Sequence, residues 1–188
     1  ESNERQLQII NDLLYVAKVE AGRIILTRRM VNLSELVSKV VDEQRSSADE
    51  KNITVKVKLP PKPLYASIDQ HTMWMAVENL VSNAIKYTHK NGNVRITLRT
   101  QRDQICLIVT DTGIGISEEQ QKDLFKQFSR IPNELTQETT GSGIGLFLAR
   151  HLVELHGGTI TVKSQDAKGS SFVIWLPGSL RVKAPKKK

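Results

Sequence analysis

Between Asp69 and Tyr87 the chain carries two stripes at helical spacing, and they limit what it can fold into. Met73, Val77, Leu80, Val81 and Ala84 recur at intervals of one to four residues and make one apolar face. Asn79, Asn83 and Tyr87 each follow the last by four residues, flanked by Lys86. This second stripe is displaced from the first by roughly 80° at about 100° per residue. A helix that buries one stripe must lie on a broad apolar surface. The carboxamides on its flank are a costly choice for packing alone.

Strand-like segments supply that surface. Residues 53–59 alternate apolar and polar, residues 64–68 follow a Pro-rich turn, and 94–100 and 104–110 flank a short turn. Two more strands are expected at 159–164 and 171–176, and an earlier one at 24–30. Helices are expected at 34–50, capped by Asn32 or Ser34, at 118–127 and at 144–155. The expected fold is a two-layer α/β sandwich, with a mixed sheet of about five strands and three helices on one face, over residues 30–178. Ahead of it, Leu7, Ile10, Leu14, Ala17 and Ala21 follow the 3-4-3-4 seam of a bundle helix, which Gly22 stops. The expected division is therefore a bundle-type helix in 1–22, an α/β domain in 23–178 and a basic disordered tail in 179–188.

The net charge of +7 raises nucleic acid as a partner. Arg181, Lys183, Lys186, Lys187 and Lys188 supply five of those charges from the tail, which has no acid. The body is close to neutral and has no basic stripe interleaved with aromatics, so no nucleic acid is expected. No apolar run approaches the roughly 20 residues of a membrane span. A cytoplasmic location is expected, with any membrane attachment through regions outside this chain. Cys106 lies in an apolar run and reads as a small buried hydrophobe.

Three segments carry chemistry. The amide oxygens of Asn79 and Asn83 are hard donors suited to a magnesium shell and phosphate-bound water. Lys86 can answer phosphate charge, and the Tyr87 ring can stack on a base. Next, Asp111-Thr112-Gly113-Ile114-Gly115-Ile116 follows a strand; its glycines let backbone approach a ligand, and its carboxylate can accept a hydrogen bond from an exocyclic amine. Finally, Gly141-Ser142-Gly143-Ile144-Gly145-Leu146 runs into a helix and offers free N–H groups to phosphate. It is not a Walker A motif, since no Gly-Lys-Ser/Thr follows. It is a poor dinucleotide fingerprint, because no strand precedes it and the glycine spacing is wrong. The polar stretch 131–140 before it has the composition of a lid.

Together these segments resemble the catalytic domain of sensor histidine kinases, with its GHKL-type (Bergerat) nucleotide site. Asn79-Leu80-x-x-Asn83-Ala84-x-Lys86-Tyr87-Thr88 is similar to the N box, and Asp111 to Gly115 to the first glycine box. Leu124 to Arg130 resembles the phenylalanine box, Gly141 to Leu146 the second glycine box, and Lys168 to Phe172 the final glycine-containing strand element. All five occur in family order.

The resemblance implies ATP and Mg²⁺ as cofactors. Asn83 would coordinate the metal, with Asn79 in or near its shell, Asp111 would bind the adenine amine, and Tyr87 would pack on the base. Lys86 and the amides of Gly141, Ser142, Gly143, Ile144 and Gly145 would hold phosphates, with Gly113, Gly115, Ile116 and Leu146 completing the pocket. Arg130 would act as the catalytic residue at the γ-phosphate, and Ser171 would stand where many members keep a threonine near adenine. Residues 13–23 resemble the end of the second dimerisation helix, which implies a homodimer and a response-regulator receiver domain as partner. None of His71, His89, His151 or His156 sits in the phosphoacceptor pattern, so the acceptor histidine is expected upstream. A GHKL-type ATPase, or a nucleotide-binding module without transfer activity, are the alternatives. ATPase relatives place a glutamate four residues before the metal-binding asparagine, where this chain has Asn79.

Overall fold

The computed structural model describes residues 10, 13–129 and 142–184. A helix, α1, covers 13–20 and is followed by 23–28 without regular structure. The α/β domain then runs β1 (Arg29–Asn32), α2 (Leu33–Glu43), α3 (Arg45–Glu50), β2 (Thr54–Lys58), β3 (Tyr65–Ile68) and α4 (Gln70–Lys86). It continues through β4 (Asn93–Gln101), β5 (Gln104–Asp111), α5 (Glu118–Gln121), α6 (Gly145–Leu155), β6 (Thr159–Gln165) and β7 (Gly169–Leu176). A 3₁₀ turn at Gly178–Leu180 leads into β8 (Arg181–Val182).

The main sheet has five strands in the order β2-β4-β5-β7-β6. It is mixed: β2 runs parallel to β4, and the other pairs are antiparallel. Its middle strand, β5, turns Ile105, Leu107 and Val109 toward the helices, where all are buried. Helix α4 answers with its predicted apolar stripe: Met73, Val77, Leu80, Val81 and Ala84 are all buried. Beside it, α2 inserts Leu33, Leu36, Val37, Val40 and Val41, and α6 inserts Leu148, Ala149, Leu152 and Val153. Each of the Val, Leu, Ile and Met side chains contributes about 1.5–3 kcal/mol on leaving water. The expected sandwich is therefore present, with α2, α4 and α6 on one face.

The pairing register carries one row across the other face: Lys56, Arg95, Thr110, Ser171 and Lys163 are aligned strand by strand.

Several boundaries differ from the sequence expectation. Residues 24–28 do not join a ladder. The Thr27 N–H donates to Asp69 Oδ2 at 2.8 Å and Arg28 Nη2 donates to the Leu155 carbonyl at 3.1 Å, so this segment is tied to helix ends. The strand comes later, at Arg29–Asn32, paired with β3. The helix expected at 34–50 breaks at Gln44, beyond the last apolar contact of α2, and resumes as α3. Of the helix expected at 118–127, only Glu118–Gln121 forms, behind a Ser117/Gln120 capping box. The tail assigned to disorder from 179 is ordered at its start. Leu180 is buried, and Arg181 and Val182 pair with Ala66 and Tyr65 in a second, three-stranded sheet, β1-β3-β8.

Helix α1 meets the domain through buried Val16 and half-buried Tyr15 and Val19. Of the expected seam, Ile10, Leu14, Ala17 and Ala21 are exposed, and Leu7 lies outside the described residues. Among the described residues no helix is long and apolar enough to cross a membrane.

Candidate nucleotide site

Helix α4 sets the site's axis. Asp69 caps it, accepting the Thr72 N–H at 3.0 Å. Its far end brings half-buried Asn79, Asn83, Lys86 and Tyr87 to one edge of the helical layer. Lys86 Nζ lies 5.0 Å above the centroid of the Tyr87 ring, so charge and aromatic face already adjoin.

The first glycine loop docks on this end. The Ile114 N–H donates to the Tyr87 carbonyl at 3.2 Å, joining the loop to the last turn of α4. Gly115 has φ of +69°, and a Cβ there would collide with the Gln165 carbonyl, so a side chain is excluded twice over. The Ala167 N–H donates to the Ile114 carbonyl at 2.6 Å, clamping the loop between α4 and the β6–β7 turn.

Asp111 ends β5 and is 6% exposed. Its Oδ1 accepts the N–H of Gly113 at 2.8 Å and that of Ser170 at 3.2 Å. Burial pushes this carboxyl above the usual carboxylate range, against the pull of those two donors. A carboxylate held at one oxygen by main chain, at the head of a central strand, presents its other oxygen as a directional acceptor.

The second glycine loop meets α4 about two turns earlier, at Asn79. Gly145 opens α6, and a Cβ there would collide with Asn79 Oδ1. Asn79 is itself held by an Nδ2 bond to the Met75 carbonyl at 2.8 Å. Asn79 therefore also acts as a spacer that lets the start of α6 approach α4. Ile144, expected at the phosphates, is 1% exposed, and its N–H donates to the Ser142 hydroxyl at 3.4 Å. Ile116 is likewise buried. Gly141 and Arg130 lie outside the described residues.

Ser171 requires a correction. Side chains alternate along a strand, and Ser171 faces away from the helices, its hydroxyl 3.0 Å from that of Thr110. Ser170 is the residue beside Asp111: buried, bonded through its backbone N–H, with its hydroxyl 2.9 Å from that of Ser164. The expectation was one residue out of register, and the strand's period of two places the two serines on opposite faces.

The donor set fits magnesium accompanied by phosphate. Among the described residues no three of His, Cys, Asp and Glu converge. Carboxamide oxygens of Asn79 and Asn83 would supply few ligands, and Mg²⁺ ordinarily takes the rest from phosphate and water. Glu78, the acid nearest to these asparagines in sequence, turns the other way and accepts a hydrogen bond from Gln44 Nε2 at 3.3 Å.

Comparison with known proteins identifies the family. Residues 68–180 match the family described as histidine kinase-, DNA gyrase B- and HSP90-like ATPase. The chain is 33% identical over 179 residues to the circadian input-output histidine kinase CikA of Synechococcus elongatus, covering 94% of this chain and 24% of that protein. It is 35% identical over 173 residues to the sensor histidine kinase RppB of Synechocystis, covering 92% of this chain and 38% of that protein. Among solved structures, full-length ShkA in complex with AMPPNP superposes with a TM-score of 0.84 at 25% identity, over 98% of this chain and 37% of that one. The Acinetobacter baumannii histidine kinase AdeS superposes with a TM-score of 0.76 at 25% identity, over 93% of this chain and 79% of that one.

Proposed function

This chain belongs to the histidine kinase-, DNA gyrase B- and HSP90-like ATPase family, as the ATP-binding catalytic domain of a sensor histidine kinase, and on that premise we propose that it transfers the γ-phosphoryl group of ATP to a histidine on a dimerisation helix. The chain spans only a fraction of its curated relatives, so the acceptor and the later steps belong to the whole protein. The carrying observation is Asp111: buried, bonded through Oδ1 to the Gly113 and Ser170 N–H groups, and set against the Tyr87 end of α4.

In this reading Oδ2 of Asp111 accepts the adenine amine and the Tyr87 ring covers the base. Lys86 and the amides of Ser142, Gly143, Ile144 and Gly145, with Gly141, hold the phosphates at the start of α6. Magnesium, when bound, neutralises phosphate charge, and Asn83, with Asn79 in or near its shell, would hold it. Arg130 stabilises charge on the γ-phosphoryl as the histidine attacks. Asn79 cannot act as a general base near neutral pH, and Glu78 is engaged with Gln44, so water is not activated here as in the ATPase relatives. The phosphoryl group then passes to an aspartate of a response-regulator receiver domain. The exposed Leu13 and Leu14 of α1, with exposed Ile10 before it, suit a homodimeric bundle.

The test supplies a histidine-bearing dimerisation domain together with ATP labelled at the γ-phosphate. Label should appear on that domain's histidine with wild type, more slowly with Arg130→Ala, and not with Asp111→Asn. Steady phosphate release without any acceptor would instead identify an ATPase. Nucleotide binding with neither label transfer nor release would identify a regulatory module.

A further inference from the structure

The C-terminal end of α4 has no glycine to turn it, so its carbonyls must find partners elsewhere. Each carbonyl from Ala84 to Thr88, in the last turn of α4 and just past it, has one. Ala84 O accepts the Thr88 hydroxyl at 2.6 Å, and Tyr87 O accepts the Ile114 N–H at 3.2 Å. The remaining three converge on a single side chain. Lys51 Nζ donates to Lys86 O at 2.6 Å, Ile85 O at 3.2 Å and Thr88 O at 3.4 Å.

An ammonium has three donors and no acceptor, so these three carbonyls match its capacity. The positive charge also sits at the negative end of the longest helix in the described chain. Lys51 is well braced for this. It caps α3, and its own carbonyl accepts the Asn91 N–H at 3.0 Å, so its backbone is fastened to the turn that follows α4.

We propose that Lys51 is a positioning residue of the nucleotide site, clamping the last turn of α4 so that Asn83, Lys86 and Tyr87 are held ready for ATP. The proposal rests on the nucleotide reading given above. Lys51 touches no ligand; it acts through the α4 carbonyls on either side of Tyr87, while Tyr87 in turn anchors the Asp111 loop. An arginine keeps the charge, but its planar fork cannot bring three donors onto one point.

The experiment is a calorimetric titration of the 188-residue chain with a non-hydrolysable ATP analogue and Mg²⁺, well below the melting temperature. Wild type, Lys51→Met, Lys51→Arg and Ile160→Ala are compared, the last as a destabilised control in β6, remote from α4. Lys51→Met should keep a native circular-dichroism spectrum and bind at least tenfold more weakly. Lys51→Arg should fall between it and wild type, and Ile160→Ala should bind within twofold of wild type whatever its melting temperature. Wild-type affinity in a folded Lys51→Met, or an equal loss in Ile160→Ala, overturns the proposal. If Lys51→Met does not fold, Lys51→Arg decides: at least threefold weaker binding upholds the role and unchanged binding overturns it. A wild-type chain that does not bind the analogue removes the nucleotide reading itself, a different failure.

Discussion

The backbone N–H of Ser170 donates to Oδ1 of Asp111 at 3.2 Å, fastening the start of β7 to the end of β5. With the Gly113 N–H on the same oxygen, the carboxylate is oriented entirely by main chain. Among the described residues no side-chain cation shares the load, and burial raises its pKa. Orientation here is achieved at the expense of stability.

Asp111→Asn keeps an acceptor for both N–H groups but removes the buried charge, so it should abolish nucleotide binding while leaving the melting temperature equal to or above that of wild type at neutral pH. The sign follows from linkage. A carboxyl whose folded pKa lies above its unfolded value contributes stability at low pH, lost as pH rises through the folded pKa. The gap between variant and wild type should therefore widen as pH rises above about pH 4, as read by thermal melts across the acid to neutral range.

The two serines of β7 should separate cleanly. Ser171→Ala removes a hydroxyl from the face away from the helices and should change analogue affinity less than twofold. Ser170→Val crowds the buried space beside Asp111 and should weaken binding at least tenfold, measured by the same titration.

Gly145→Ala places a methyl group against Asn79 Oδ1. Overpacking of this kind costs about 1–3 kcal/mol, so urea unfolding should show a loss in that range. The paired variant Asn79→Ala/Gly145→Ala should recover part of it, because the colliding oxygen is gone. Equal losses in the single and double variants would place the strain elsewhere.

His156 is 1% exposed and fully bonded: Nε2 accepts the Asp69 N–H at 3.0 Å, and Nδ1–H donates to the Leu152 carbonyl at 2.8 Å. Burial lowers its pKa, Arg28 lowers it further, and the Leu152 carbonyl and Asp69 oppose. A histidine depressed in the fold contributes stability above its unfolded pKa, lost as pH falls toward the folded value. Wild type should weaken below about pH 6.5, while His156→Gln, able to make both bonds without titrating, should show a flatter profile. His156→Ala should lose about 2–3 kcal/mol through the orphaned Asp69 N–H and the cavity.

Much of this was legible from the sequence. Helix α4 was readable because its two stripes follow the helical period, and the glycine loops because their backbone demands are local. The Asp111 environment was only half readable, since Ser170 and Ser171 are adjacent and only strand register tells which faces the carboxylate. Lys51 gave no local signal at all: its carbonyl partners lie 34 to 37 positions away. The second sheet was hidden for the same reason, because β1, β3 and β8 are short and far apart in sequence. Residues 24–28 read as a strand by composition, yet their hydrogen bonds go to Asp69 and Leu155.

The small sheet makes β3 a mechanical junction. One of its edges is bonded to β1, the first strand after α1, and the other to β8 near the end of the described chain. Its last residue, Ile68, leads directly into Asp69, which caps α4 and also holds the Thr27 N–H. The segment that follows α1 is thus tied through the Thr27 N–H to the foot of α4. That helix is a stiff rod of about 25 Å at 1.5 Å per residue, with the two glycine loops braced along its shaft and at its tip.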